Sequence, residues 1–282
     1  MKLARYGSRG MERPALVDRD GKLRDLSAYV PDIFPKILSP VHLKEIAALD
    51  IDRLPAVDEP DVRVGPPVSN IGKIICIGLN YTDHAAEVGL PLPKEPTIFM
   101  KGCRATGAND PVRLPRHSEK SDWEAELGIV IGTPGIYIPA AKALSHIAGF
   151  CVVNDLSERS YQMDRGGQWT KGKSFPGFAP VGPWLVTKEE VPNVGALPIR
   201  LEVNGRCYQD GNTSNLVFGV PEIVSYVSNF YALEAGDLIA TGTPAGVGLG
   251  RKPPVFLKPG DVVTLGIEGL GAQRQKIAAW DD

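Results

Sequence analysis

Histidine and cysteine are scarce in this chain, with four of each among 282 residues. The cysteines, Cys76, Cys103, Cys151 and Cys207, form no CxxC pair, which argues against a zinc knuckle or a thioredoxin-type redox centre. Cys76 and Cys151 sit inside the apolar runs IICIG and GFCVV and read as small core residues, at home in a reducing cytoplasm. Positive charge is not in surplus, 31 Lys and Arg against 33 Asp and Glu, so the electrostatic footprint of a nucleic-acid binder is missing. No apolar run approaches the ~20 residues that span a bilayer. The opening MKLARYGSRGMERP has no apolar stretch behind its basic residues, so a signal peptide is not expected. HExxH and GxSxG are absent, and the one stretch with the spacing GxxxxGK[ST], Gly167 to Ser174, follows the polar run SERSYQMDRG rather than a strand-like one, the context a phosphate-binding loop needs. AGVGLG is followed by Arg251-Lys252-Pro253-Pro254, which leaves no helix N-terminus for a pyrophosphate. Nucleotide-dependent and serine-hydrolase chemistries therefore drop out.

What the chain has in excess is 31 Gly and 25 Pro, about a fifth of its length against a usual ~12%. With 43% hydrophobic and 23% charged residues, this is a packed protein rich in turns and short strands. Residues 1–70 read as a small N-terminal domain. It holds short strands at KLARY and ALVD and a helix over about 40–48, with Ser39 as N-cap and Pro40 at the first helical position. DEPDVRVGPPVSN then reads as a linker. Residues 71–282 form the main domain, where short β-type runs alternate with Gly/Pro turns. Asn204-Gly205 predicts a type I′ hairpin, and Ile223, Val224, Val227 and Phe230 predict a helix from Pro221. The expected fold is mixed α/β, β-rich and strongly bent.

Three stretches carry candidate chemistry. In DWEAELGIVI, strand alternation puts Glu124 and Glu126 on one face, opposite Trp123, Ala125, Leu127, Ile129 and Ile131. Two carboxylates on one such face imply either a cation between them or the solvated side of an edge strand. Asp155 emerges from the end of another apolar run, HIAGFCVVND. Three carboxylates without thiolate or imidazole suit a hard cation, Mg²⁺ or Mn²⁺ rather than Zn²⁺. The second stretch, NYTDHAAEVG, predicts a short helix capped by Asn80 or Thr82 and ended by Gly89. His84 and Glu87 then share a face at i and i+3, either as an exposed pair or as a carboxylate-oriented general base acting on water. The third runs from Asp155 to Phe175. Arg159 and Gln162 share a helical face there, and Lys173 lies in a Gly-rich segment. Such groups beside a metal suit a carboxylate-bearing substrate and an enolate, though singly each is equally a solvated side chain.

In this order, IGLNYTDHAAE, IFMK, DWEAELGIVIG, VVNDLSERSYQ, KGKSF, LEVNG and TGTPAGVG resemble the fumarylacetoacetate hydrolase family over about residues 72–270. The resemblance implies a β-sandwich roll with a small N-terminal domain, a homodimer, and Mg²⁺ or Mn²⁺ on Glu124, Glu126 and Asp155. It also implies a lid carrying His84 and Glu87. Lys173, together with Lys101, Arg159, Gln162, Thr243 and Tyr81, would surround a small 2-oxo acid. Family members cleave, decarboxylate, hydrate or tautomerise 2-oxo acids through an enolate. The intact His–Glu pair points to the hydrolytic, acylpyruvase-type branch. MKLARYG, DLSAYVPDI, GGQWTKGKSF and KPPVFLKPGDVVTLGIEGLG resemble a bacterial subgroup often labelled ureidoglycolate lyase. Its relatives hydrolyse 2,4-diketo-3-deoxy acids from L-rhamnose or L-fucose breakdown to pyruvate and lactate, and that is the expected activity. The alternatives are ureidoglycolate lyase, oxaloacetate decarboxylase or tautomerase, and, in another class, a metal-dependent oxo-acid binding module without turnover.

Overall fold

In a computed structural model, which describes residues 1–59 and 61–281, the organising element is a mixed ten-stranded sheet. Its centre is built from the runs with the densest apolar content. Ala125–Ile131 pairs antiparallel with Ile147–Asn154 on one side and with Leu238–Ala240 on the other. Leu238–Ala240 runs parallel to Ile74–Gly78, which pairs with the edge strand Thr97–Met100. Beyond Ile147–Asn154 come Pro180–Thr187 and then Lys2–Tyr6, Arg13–Val17 and Leu23–Asp25. The strands of the first 70 residues thus continue the same sheet. A second sheet of five strands contains Pro198–Val203, Arg206–Asn212, Val262–Ile267, Gly271–Ala278 and Val112–Arg113.

Both faces of the large sheet are covered, which explains why its central strands are apolar at nearly every position rather than alternating. Trp123, Ala125, Leu127, Ile129 and Ile131 face the five-stranded sheet and pack with Ile199, Leu201, Val263 and Leu265. On the opposite face Val130, Cys151, Val153 and Cys76 pack beneath Leu26, Ile33, Leu38, Ile46 and Leu54 from the N-terminal segment. The two cysteines are core residues, and burial pushes the Cys151 thiol up to about 12. Because the Glu126 strand is interior, the solvated-edge alternative for its carboxylates does not arise.

Local signals mostly match. Pro40–Ala47 is helical, with the Ser39 hydroxyl accepting from the His42 amide at 3.4 Å. Asn204 and Gly205 both have positive φ, as a type I′ turn requires. The predicted helix from Pro221 spans Val220–Val227 and buries Ile223, Val224 and Val227. Phe230 lies past its end and is exposed, because the chain has left the helix before that position completes the stripe. Pro60, in the expected linker, lies outside the described residues.

Candidate active site and metal centre

The three candidate metal-binding carboxylates meet because of strand register. In the antiparallel pair, Val153 faces Glu126 and Asn154 faces Ala125. One step further, the Asp155 amide donates to the Glu124 carbonyl at 2.9 Å. Glu124, Glu126 and Asp155 each offer an oxygen within 4.8 Å of the others, and all three side chains are buried. Burial, with Asp155 and Glu124 adding to it, pushes the Glu126 carboxyl well above its usual range. The Gly242 amide donates to Glu126 Oε2 at 2.9 Å, and no Lys or Arg lies within ion-pair distance of that carboxylate among the described residues. Three converging buried oxygens, one of them short of positive charge, form a donor set that fits a hard divalent cation.

Cations surround the rest of the triad. Lys173 Nζ donates to Glu124 Oε2 at 2.6 Å and to Asp155 Oδ2 at 2.8 Å. Lys101 Nζ pairs with Asp155 Oδ1 and donates to the Leu156 carbonyl. Burial alone would raise the Glu124 carboxyl, but Lys173 and Arg159 outweigh it and hold the group below its usual range. Burial would likewise lower Lys173, yet Asp155 and Glu124 raise it, so the ammonium stays charged. Arg159 Nη1 contacts Glu124 Oε1 at 2.8 Å and donates to Gln162 Oε1 at 3.0 Å, which places both on the expected common helical face of Arg159–Met163.

Above the acids lies a cavity of about 580 Å³ lined by Glu124, Glu126, Arg159, Gln162, Lys173, Thr243, His84 and Glu87. The last two come from the helix Thr82–Val88, which ends at Gly89 in the left-handed conformation (φ +70°). His84 Nδ1 lies 3.2 Å from Glu87 Oε2, and Glu87 Oε1 accepts from the Gly246 amide at 2.9 Å. Glu87 therefore docks the helix onto the TGTPAGVG loop while orienting the imidazole. A Cβ on Gly250 would stand 2.3 Å from the Glu87 carboxyl carbon, so this contact needs a glycine there.

Several expected roles change. Neither Asn80 nor Thr82 caps the helix; Tyr81 holds the N-cap position without a side-chain bond. Asn80 instead turns inward, donating to the Thr241 and Phe218 carbonyls and accepting from the Phe218 amide. Tyr81, expected at the substrate, is fully buried off the cavity wall with its hydroxyl unpartnered. Burial, and then Glu126, raise that phenol. Lys101 sits beneath the acids rather than on the cavity surface. Thr243 does line the cavity, but its hydroxyl proton goes to the Ala125 carbonyl at 2.9 Å and its oxygen accepts from Gln209 at 2.7 Å. It has no proton left for a substrate.

Other residues were given no role by the sequence and still build the site. Asp122 accepts from the Gly248 and Leu249 amides and pairs with Arg159 at 2.7 Å, tying loop to floor. Buried Gln209 joins the Ala125 amide to Thr243 and the Pro244 carbonyl. Leu79, on the cavity wall, has φ +55°, an outlier for a bulky side chain that costs on the order of 1–3 kcal/mol. Trp169 packs against Gly78, where a Cβ would come within 2.4 Å of its ring, and meets Phe99 edge-on at 5.4 Å.

The sequence model of the family described as fumarylacetoacetate (FAA) hydrolase C-terminal matches residues 73–278. A protein of Burkholderia multivorans, named only as a hydrolase, is 54% identical over 278 residues, covering 98% of each chain. Among solved structures, fumarylacetoacetate hydrolase from Exiguobacterium antarcticum superposes with a TM-score of 0.86 at 32% identity over 99% of both chains. A 2-hydroxyhepta-2,4-diene-1,7-dioate isomerase from Mycobacterium marinum gives 0.78 at 32% identity over 100% of both. Maleylpyruvate hydrolase from Sphingobium sp. SYK-6, solved with manganese(II) and pyruvate, gives 0.82 at 26% identity over 99% of both.

Proposed function

The chain belongs to the fumarylacetoacetate hydrolase family, and from that premise we propose that it is a divalent-metal-dependent hydrolase of 2,4-dioxo acids, cleaving the C3–C4 bond to release pyruvate. One observation carries the reading: an oriented His84–Glu87 pair lines the same cavity as Glu124 and Glu126 of the acid triad. A divalent cation on Glu124, Glu126 and Asp155 would supply Lewis-acid stabilisation of negative charge at the 2-oxo oxygen. Arg159 and Lys173 bind the anionic oxo-acid end. Glu87 holds the Nδ1 proton of His84, so Nε2 is free to accept a proton from water as its oxygen adds to C4. When C3–C4 breaks, its electron pair passes to C3 and onto the 2-oxo oxygen, giving the enolate of pyruvate. The new acid leaves from C4. The positive charge of Lys173 offsets that of the enolate, and the proton held by His84 returns to C3.

The sugar-acid diketone expected from the sequence is the less favoured substrate. Among the cavity-lining residues Ile77, Leu79, Val88, Phe99 and Leu249 are apolar, and hydroxyl groups set against them find no hydrogen-bond partner. A 2,4-dioxo acid with an unhydroxylated chain is the better fit. The test is a pyruvate-coupled assay over a panel of 2,4-dioxo acids. Release that requires added Mg²⁺ or Mn²⁺ and disappears in His84→Ala supports the proposal. Release that persists in excess chelator, or from His84→Ala at the wild-type rate, refutes it. Oxaloacetate decarboxylation or tautomerisation needs no attacking water and would survive His84→Ala, which separates those activities from hydrolysis.

A further inference from the structure

Three glutamines interrupt the apolar interface between the two sheets. Gln209, on Arg206–Asn212, and Gln273 and Gln275, on Gly271–Ala278, are all buried, and each bonds to groups outside its own sheet. Buried amides are costly unless their donors and acceptors are paired. Apolar side chains, like those of Ile199, Leu201, Val263 and Leu265 in the same interface, carry no such cost. The place where the glutamine bonds end explains them.

They end at the backbone of Glu124 and Ala125, where ladder pairing runs out. The last pair of Ala125–Ile131 with Leu238–Ala240 is Gly128 with Ala240, and its last with Ile147–Asn154 is Ala125 with Asn154. Side chains take over from there. The Glu124 amide donates to Asn154 Oδ1 at 3.3 Å, and Asn154 Nδ2 donates to Gln275 Oε1 at 3.1 Å. Gln275 Nε2 in turn donates to Gln273 Oε1 at 2.9 Å and to the Ala108 carbonyl. Gln273 Nε2 closes the chain on the Val152 carbonyl at 2.8 Å. On the other side the Ala125 amide donates to Gln209 Oε1 at 2.9 Å, while Gln209 Nε2 donates to Thr243 Oγ1 and the Pro244 carbonyl. Each amide turns its oxygen toward Glu124 or Ala125 and its nitrogen away. None can flip without setting donor against donor and acceptor against acceptor.

We propose that Gln209, and Gln275 acting through Asn154, are positioning residues for the acid triad. Through them the five-stranded sheet holds the Glu124–Ala125 backbone, so that Glu124 and Glu126 meet Asp155 beyond the end of the ladder. This rests on the divalent-cation reading of the triad. Neither glutamine lines the cavity above the acids, so the effect reaches the cation only through the backbone.

The test compares Gln275→Met and Gln209→Met, which keep side-chain length and remove the bonds, with Ser228→Ala. The Ser228 hydroxyl holds the Ile138 amide at 2.8 Å and is not part of the cavity wall, so that variant is destabilised without touching the triad. Mn²⁺ binding is read by calorimetry, and amide hydrogen exchange is read on the metal-free protein. Each glutamine variant should bind Mn²⁺ about tenfold more weakly than wild type, whereas Ser228→Ala should stay within about twofold. Exchange should show a crossed pattern. Relative to Ser228→Ala, Gln275→Met should speed the Glu124 amide at least about tenfold and spare Ala125, and Gln209→Met should do the reverse. The two variants are independent, so misfolding of one leaves the other to decide. Mn²⁺ affinity within about twofold of wild type in the folded variants, or equal acceleration of both amides in each, makes the glutamines structural only and overturns the assignment while the metal reading stands. If the wild-type protein does not bind Mn²⁺, the metal reading falls and this inference falls with it.

Discussion

Replacing Glu87 by Gln tests the proposed water-activating role of the His84–Glu87 pair with little change in shape. The Glu87 carboxylate accepts at both oxygens, from the Gly246 amide at 2.9 Å through Oε1 and from His84 Nδ1 at 3.2 Å through Oε2. A glutamine has one acceptor oxygen and one NH₂ donor. The Gly246 amide can only donate, so the oxygen must stay with it and the NH₂ must face His84. The imidazole can adapt: Nδ1 becomes the acceptor and the proton moves to Nε2. That tautomer cannot take a proton from water, and the loss expected for a disabled general base is about 10²- to 10⁴-fold in kcat. Fold stability should change by only about 1 kcal/mol, since the docking bond survives, and a protein of this size should shift its Tm by only about 2–4 °C. The assay couples pyruvate release to lactate dehydrogenase, with ¹⁵N NMR of the imidazole reporting the tautomer. A Glu87→Gln enzyme within threefold of wild-type kcat, with the proton on Nε2, would refute the reasoning.

Glu124→Gln or Glu126→Gln should each weaken Mn²⁺ binding by more than about tenfold in calorimetry, while a change at exposed Glu189 should not. Because burial holds the Glu126 carboxyl well above its usual range, a fraction of it carries a proton that metal must displace. Metal uptake should therefore release protons, and affinity should climb with pH, checked by calorimetry in buffers of different ionisation enthalpy. Far from the site, Arg63 binds Asp110 at 2.6 Å and Glu12 at 2.7 Å. Burial alone would raise both carboxyls, but their hydrogen bonds and the arginines hold them below their usual range. Their folded values lie below those of the unfolded chain, so the stabilisation is present at neutral pH and is lost as pH falls through the folded values. Asp110→Asn should cost about 2 kcal/mol at pH 7, with a gap from wild type that closes on acidification, measured by urea denaturation across pH.

The parts of the site legible in the sequence are those with a local cause. Glu124 and Glu126 declare themselves by strand alternation, and His84 with Glu87 by helical spacing. The meeting of Asp155 with Glu124 depends on antiparallel register between strands, which resemblance supplied and periodicity did not. Asp122 and Gln209 were missed because their partners, the Gly248 amide and Thr243, are 126 and 34 residues away. Asp122 opens the motif that holds Glu124, yet nothing there points to the loop it binds, and nothing near Gln209 marks that residue. Tyr81 and Thr243 show the opposite error: each lies in the right motif, but burial takes one off the wall and Ala125 takes the proton of the other. The wall itself was hidden for a plainer reason. Trp169, Leu249 and Leu79 sit in irregular segments, where no period says which way a side chain faces.

The site divides between two kinds of backbone. The acids and the floor cations come from central strands, their ends and short buried helices, locked by register and by one another. The helix Thr82–Val88 and the loop from Leu249 to Pro254, which line the same cavity, reach solvent, and Glu87 and Asp122 hold them through a few contacts. A substitution on the floor risks the reaction itself, whereas one on the rim that spares His84, Glu87 and the glycines beside them acts first on which molecule reaches it. The scaffold therefore lets substrate preference change in two surface segments while the buried acid cluster is left in place. A library confined to Leu249, positions 251–254 and the exposed face of 82–90, with Gly248 and Gly250 kept, is the corresponding place to redirect the enzyme in the laboratory.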